Sequence, residues 1–432
     1  MRSITSASRN GAAQPLSLYH LLDPEVLANP YPLYRRLREE SPVHWDPFLS
    51  AWVVTGYTNV MAVLTKFSAL RTPAPEQLAA LGLSELGPIA EIMVRQMLFM
   101  DAPQHTRLRR LAAYAFRPAR VASLSARIQE ITDDLIDKFA PAGRVEIMKD
   151  FAVPLPAIVT AEMLGVPVAD SRQLTEWSAD FAEMLGNFQH NPDRASRVRR
   201  SVQELVKYFK AHLRKMEQGC NEGLVHSLAI AEVDGDRFSE EEVIANSILT
   251  MVGGQETTTN LIGNGLLTLL RYPDQMHKLL ANPGLMGSAV EECLRYESPS
   301  QHTARKALTD MPIGKITVRA GQAVIAVMGA ANRDPEAFPD PDRFDITRTD
   351  NRHLAFGWAA HFCFGAALAR IEGKIAFSTL LRRLPGPKVD PVQLEWRENL
   401  GLRGLKRLPL TFNGSTGKAF EADADPQPAT NV

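Results

Sequence analysis

The sequence predicts a mainly α-helical protein with small β-sheets. Three observations lead there. Apolar residues recur at helical spacing over residues 104–116, 119–138, 155–164, 171–185 and 197–218. Ser239-Glu240-Glu241-Glu242 forms a capping box, which puts acidic charge on the positive end of the helix it opens. That helix runs to about Leu270, some 32 residues and roughly 48 Å, so it must cross a whole domain. Strand patterns, by contrast, are short and few.

Residues 1–22 read as a flexible N-terminal arm. They carry no acidic residue and no apolar signal core, and they include Arg2, Arg9, several serines and Pro15. Residues 23–38 give turn chemistry followed by an amphipathic helix. Residues 43–45 and 51–55, joined through Asp46-Pro47, form an antiparallel hairpin. Residues 72–97 read as irregular, punctuated by Pro73, Pro75, Gly82, Gly87 and Pro88, and a loop of that length often covers a binding site. Beyond the long helix, helices are expected at 274–280, 284–296 and 365–384, and strands at 321–328, 393–397 and 406–412. Pro335, Pro339 and Pro341 forbid regular structure between Asp334 and Thr347. Residues 414–432 are polar and rich in alanine and proline, and read as a disordered tail. The motifs described next are spread along the chain and need one shared site, so residues 23–413 are read as a single domain.

With 432 residues, 45% hydrophobic and 22% charged, the chain can bury a large core. A net charge of −1 supplies no bulk field toward nucleic acid or an anionic membrane. No apolar run reaches the ~18–20 residues that span a bilayer. A cytoplasmic protein is expected, with neither a nucleic-acid nor a membrane partner. Cys220, Cys293 and Cys363 include no CxxC pair, which argues against a disulfide framework or a zinc site and for a reducing compartment.

Phe356-Gly357-Trp358-Ala359-Ala360-His361-Phe362-Cys363-Phe364-Gly365 is a loop that ends in a cysteine and runs straight into an alanine-rich helix. The free N–H groups of a helix start favour the thiolate. A thiolate in an apolar cup pushes electron density onto a haem iron and favours O–O cleavage. Within the long helix, Gly253-Gly254-Gln255-Glu256-Thr257 places two glycines that cost ~1 kcal/mol each relative to alanine. A local rule broken inside a good helix marks a functional position. Glycines let a flat ligand approach, a threonine hydroxyl can admit water to the hydrogen-bond ladder, and an acid beside an alcohol can deliver protons. On these residues alone, a flexible kink with a solvated Glu256 fits equally well. Glu292 and Arg295 are three apart, ordinarily the mark of a solvated ion pair. His105 and Arg109 are four apart, on one helix face.

Together these segments resemble the cytochrome P450 family, over about residues 23–412. The family's F-G-x-G-x-H-x-C-x-G loop is matched by Phe356, Gly357, His361, Cys363 and Gly365, with Ala359 where glycine usually allows a tight bend. Its [AG]-G-x-[DE]-T motif is matched by Gly253, Gly254, Glu256 and Thr257, its E-x-x-R by Glu292 and Arg295, and its H-x-x-x-R by His105 and Arg109. The resemblance implies a triangular prism with haem b held between the long helix and the helix after Cys363. It implies Cys363 as the axial ligand of the iron, with Phe356 against the sulfur, and His105, Arg109, Arg305 and His361 on the haem propionates. Thr257 becomes the hydroxyl beside bound oxygen and Glu256 its acidic neighbour. Glu292, Arg295 and Arg343 become a buried structural triad.

The implied reaction inserts one atom of O2 into a C–H or C=C bond of a hydrophobic small molecule. Electrons come from NAD(P)H through a ferredoxin and its reductase, or a flavodoxin, as in soluble bacterial members. Arg107, Arg110 and Arg370 are a candidate basic patch for an acidic ferredoxin. By analogy the pocket is walled by Met97, Phe181, Leu185, Ile248, Val252, Gln301, Thr303 and Leu400, mostly apolar with few polar points. The pattern from Asn399 to Leu405 looks like members that tailor polyketides and macrolides; steroids, terpenes and fatty acids stay open. So do a peroxide-driven haem enzyme and a non-catalytic haem-binding sensor.

Overall fold

Ser239 caps the long helix as its sequence demands. Its Oγ accepts the Glu242 N–H at 3.2 Å, and the Glu242 carboxylate accepts the Ser239 N–H at 2.9 Å. In the computed structural model, which describes residues 16–116, 118–186, 192–216, 223–390 and 394–413, this helix spans Glu240–Arg271 without interruption. Ten consecutive residues, Asn260 to Leu269, are buried, so this stretch has no solvent face. Helices Pro154–Leu164, Ser171–Gly186, Pro192–Met216 and Ala366–Arg383 pack on it. A Cβ at Gly265 would lie 2.4 Å from the Phe377 ring, which is why Ala366–Arg383 can cross there. The largest apolar cluster is built around this helix and draws residues from Ile89 to Phe412.

The hairpin of Val43–Asp46 and Ala51–Val54 forms as expected. Ala51–Val54 then runs parallel to Ala323–Ala326, which pairs antiparallel with Thr303–Lys306 to complete a four-stranded sheet. Ser68 bridges to Lys306, with the Ser68 N–H donating to the Lys306 carbonyl at 2.9 Å. This stitch carries the segment after Ser68 alongside Arg305.

Several expectations need correction. The ordered chain begins before Asp23: Leu18–Leu22 is a 3-10 helix, Leu18 and Leu21 are buried, and Ser17 Oγ donates to Asp46 at 2.7 Å. Residues 1–15, 414–432 and Cys220 lie outside the described residues. Residues 72–97 hold two short helices, Pro75–Ala80 and Gly87–Met93. Their prolines sit in the first turn, where a missing N–H costs nothing, so they start helices and do not break them. Helix 284–296 begins as a 3-10 turn, Pro283–Leu285, and continues as Met286–Tyr296. The strand expected at 393–397 is only an isolated bridge, Trp396 to Leu405, among the described residues.

Glu292 and Arg295 are not a surface pair: both side chains have no solvent exposure. Arg295 donates Nη2 to Glu292 Oε1 at 2.7 Å and Nε to Oε2 at 2.8 Å. Its remaining N–H groups reach the carbonyls of Asn332, Pro341 and Arg343. Arg343 joins through its backbone alone; its side chain is 62% exposed and pairs with Asp345. The third charged partner is Arg348, whose Nε lies 3.3 Å from Glu292 Oε2. Sequence spacing could not separate two arginines five residues apart on an irregular segment.

Replacing Arg295 by alanine strands the Glu292 carboxylate in the core and should cost ~3–5 kcal/mol. Arg343→Ala should cost less than about 1 kcal/mol, as for an exposed ion pair. Urea unfolding of the two variants checks the assignment; equal losses would return Arg343 to the network.

Candidate active site

The cysteine loop folds on itself. The Cys363 N–H donates to the Phe356 carbonyl at 2.8 Å, and the Gly357 N–H to the Leu354 carbonyl at 2.9 Å. Gly357 takes φ +71° and Ala359 φ +56°. The position where the family usually has glycine is therefore left-handed here, and alanine holds it at a strain of about 1–2 kcal/mol. Cys363 itself is exposed, yet burial raises its thiol above the ordinary value. Both hold for a side chain that opens on an enclosed cleft. The Gly365 N–H, then Arg109, Arg370 and the Ala366 N–H, pull the other way. The helix start favours the thiolate as expected, but desolvation outweighs it. Phe356 is buried beside the loop, with the Arg370 guanidinium 4.5 Å from its ring centre.

Around this loop the structure gathers arginine and histidine side chains. The rings of His105 and His361 lie 4.2 Å apart. Burial, then His105 and Arg305, push His361 down to about 3. Arg305 is pushed down to about 10 by burial. Arg109 donates to the Phe362 carbonyl at 2.7 Å. Sequence reasoning missed Arg71, which the Ser68–Lys306 stitch delivers to the same cluster. Burial and then Arg305 push Arg71 down to about 9, and its guanidinium lies 4.5 Å from the centre of the Phe99 ring. No motif marked it. Arg71 Nη1, His105 Nε2 and Arg305 Nε are buried without a hydrogen-bond partner. Asp101 is near, but its oxygens already accept from Ser68 Oγ at 2.5 Å and the Ala69 N–H at 2.8 Å. Desolvated cations with unpartnered donors fit an anionic ligand.

On the central helix, Gly253 is exposed, and a Cβ there would meet nothing within 4 Å. Gly254 has another reason: its Cβ would lie 2.8 Å from Thr160 Oγ1, so it serves helix packing and not a flat ligand. Thr257 is half-buried on the Gly253 side, and its Oγ1 donates to the Gly253 carbonyl at 2.9 Å. Glu256 is buried and faces elsewhere. It pairs with Arg397 and accepts from Asn260 Nδ2 at 3.1 Å. The acid and the alcohol are neighbours in sequence but lie on different faces of the helix.

Met97 is buried and its N–H donates to Asn246 Oδ1 at 3.0 Å, which clamps its segment to the central helix. Phe181 and Ile248 have no exposed surface, and they pack in the core. Val252 is nearly as enclosed, and Leu185 packs against the same core. Gln301 donates to the Ser298 carbonyl at 2.7 Å, Thr303 Oγ1 accepts from Arg305 Nη1 at 3.0 Å, and Leu400 joins a separate cluster with Leu18 and Tyr34. The basic patch is largely neutralised: Arg107 pairs with Asp236 and Glu242, Arg110 with Asp234, and Arg370 with Glu291.

The exposed Cys363 thus lies in a loop beside buried arginine and histidine groups with unpartnered N–H donors, an arrangement able to receive an acidic cofactor. The sequence model described as Cytochrome P450 matches residues 89–283 and 280–385. The chain is 39% identical over 392 residues to the biotin biosynthesis cytochrome P450 of Bacillus subtilis (strain 168), covering 90% of this chain and 97% of that protein. It is 38% identical over 416 residues to the cytochrome P450 monooxygenase PikC of Streptomyces venezuelae, covering 93% and 95%. The crystal structure of P450BioI with an acyl carrier protein bearing hexadec-9Z-enoic acid superposes with a TM-score of 0.84 at 39% identity, over 90% of this chain and all of that one. The chain belongs to the cytochrome P450 family, and it is an oxidoreductase of the monooxygenase type. The family's cofactor is haem. The residues fit it, with a sulfur donor opening on the cleft and cations for two propionates.

Ala359→Gly should relieve the left-handed strain, for a net gain of about 1 kcal/mol after glycine's greater freedom in the unfolded chain is subtracted. Thermal melting checks this, and a loss of stability would overturn it. Cys363→His should abolish the strongly red-shifted Soret band that the ferrous carbon monoxide adduct of a thiolate-ligated haem shows. An unchanged band in that variant would remove Cys363 as the ligand.

Proposed function

We propose that this chain inserts one oxygen atom from O2 into a hydrophobic small molecule, by hydroxylation or epoxidation, in secondary-metabolite tailoring of the polyketide type. Electrons derive from NAD(P)H through a ferredoxin and its reductase, or a flavodoxin. The reading rests on one observation above all: the Cys363 loop and the Gly253–Thr257 face of the central helix both open to accessible space within an otherwise packed core. The names of relatives support the substrate class. PikC is a cytochrome P450 monooxygenase, PksS of Bacillus subtilis (strain 168) a polyketide biosynthesis cytochrome P450, and a Saccharopolyspora erythraea relative a 6-deoxyerythronolide B hydroxylase. No helix among the described residues is long and apolar enough to cross a membrane.

When bound, haem supplies the reductive chemistry of O2. Cys363 would hold it through Sγ; Arg71, Arg109 and Arg305 would neutralise its carboxylates, and His105 and His361 would donate hydrogen bonds to them. Gly253 leaves room beside the helix for a small ligand. The Thr257 hydroxyl, already donating to the Gly253 carbonyl, presents its lone pairs as an acceptor for a water or a proton at the cleft. Overall, RH, O2, two protons and two electrons give ROH and H2O. When the hydroxyl cannot hold a proton in place, the same electrons and protons leave as H2O2.

Thr257→Ala should therefore leave haem content and substrate affinity unchanged while electrons are diverted from product to peroxide. One assay that follows NAD(P)H consumed, peroxide released and product formed provides the test. Tight coupling in the variant would refute the proton-holding role. Turnover of the parent with peroxide, and none with redox partners, would favour a peroxide-driven enzyme. Failure to reduce O2 at all would favour a sensor.

A further inference from the structure

Glu291 and Glu292 are neighbours on the helix Met286–Tyr296, about 100° apart round its axis, so they meet different partners. Glu292 is engaged by Arg295 and by the irregular chain at Asp345. Glu291 turns to the helix that follows the cysteine. Arg370 grips its carboxylate with two bonds, Nε to Oε1 at 2.7 Å and Nη2 to Oε2 at 2.8 Å. His353 reaches the same carboxylate, with Nε2 3.1 Å from Oε2. The Ala355 N–H donates to His353 Nδ1 at 3.3 Å, which leaves Nε2 to carry the proton. Burial opposes ionisation of Glu291, and the bonds from Arg370 and His353 outweigh it, holding the carboxyl down to about 2. Both groups that Glu291 holds pack on Phe356. The Arg370 guanidinium lies 4.5 Å from the ring centre, and the His353 ring 5.8 Å from it. The Phe356 carbonyl in turn accepts the Cys363 N–H at 2.8 Å. Arg370 and Cys363 also act on one another directly: the cation favours the thiolate, and the thiolate favours the cation.

The pair is partly exposed, 32% for Arg370 and 26% for Glu291, and a loose pair at such a surface contributes little to stability. Its geometry is not loose. The fork is bidentate and lies on an aromatic face, an arrangement that lysine cannot reproduce. We infer that the Glu291–Arg370 pair sets the reduction potential of the haem that Cys363 would hold, with Arg370 as a positioning residue that acts through Phe356 and on the sulfur. This rests on the haem-thiolate reading above and adds a control on its first electron. When ferric iron takes one electron from the redox partner and becomes ferrous, the iron and its sulfur ligand gain one negative charge. A cation nearby favours that state and an anion opposes it. Groups beyond the ligand itself tune a metal in this way. Because Arg370 and Glu291 carry opposite charges, their removal must move the potential in opposite directions. A role in packing alone would not have that signature.

The test is a spectroelectrochemical titration of the haem-loaded protein without substrate. Arg370→Gln should lower the ferrous fraction at the parent's midpoint potential several-fold. Glu291→Gln, which keeps an oxygen to accept from Arg370, should raise it. The double variant should fall between the two. Arg370→Lys keeps the charge without the fork, and should lie closer to the parent than Arg370→Gln does. Haem content and the red-shifted carbon monoxide band report the sulfur ligand separately, and both should stay at parent values in all four variants. Equal potentials throughout, or shifts of one sign in Arg370→Gln and Glu291→Gln, overturn the inference and leave the haem-thiolate reading in place. Absence of the carbon monoxide band in the parent overturns that reading and the inference with it. If Arg370→Gln does not take up haem, Glu291→Gln decides: a ferrous fraction above the parent's supports the inference, and one at or below it overturns it.

Discussion

The site depends on holding two arginines and two histidines together in a desolvated space. Arg71, His105 and Arg305 each lower the proton affinity of His361, Arg305 also lowers that of Arg71, and burial lowers all four. Like charges in low dielectric repel strongly, and unpartnered donors forfeit their hydrogen bonds to water. Asp101 offsets part of this cost for His105, Arg305 and His361, while its oxygens also accept from Ser68 and Ala69. The arrangement makes sense as half of a complex whose other half is a dianion. The rest of the molecule then reads as the scaffold that keeps these groups from moving apart: the four-stranded sheet places Arg305, the Ser68–Lys306 stitch places Arg71, and the cysteine loop places His361.

That scaffold has its own electrostatic anchor. Glu292 is bonded by Arg295, by Asn351 Nδ2 and by the Asp345 N–H, with Arg348 alongside. Arg295 in turn ties three carbonyls from the segment that leads into the cysteine loop. A buried ion pair of this kind adds little net stability, but it allows one geometry and penalises others. Here it fixes irregular chain from Asn332 to Asp345, where three prolines rule out a hydrogen-bonded ladder.

The central helix divides its work by face. Gly253 and Thr257 look onto accessible space, Gly254 yields to Thr160, and Glu256 turns to Arg397. A run of five residues serves three neighbours because successive side chains are about 100° apart. The reactive pair is thus not one unit in space, and any proton passing between its members must cross from one side of the helix to the other.

The sequence by itself determined the long helix, through Ser239 and Glu242, and the cysteine loop, through a motif dense in matched positions. Local physics sufficed in both cases: a capping box involves neighbours, and a loop that closes through the Cys363 N–H and the Phe356 carbonyl spans eight residues. The helices of residues 72–97 were legible in principle, but a proline in a helix's first turn looks the same in sequence as one that breaks it. Only the tertiary structure decided that Arg348 and not Arg343 meets Glu292, that Arg71 joins the cations, and that Glu256 points away from Thr257 toward Arg397. Each of these depends on where a remote segment lands, and landing is fixed by packing and sheet register, not by spacing along the chain. Side-chain direction on a buried helix follows the same rule: the sequence sets the angle between neighbours, and the surrounding fold sets what each of them meets.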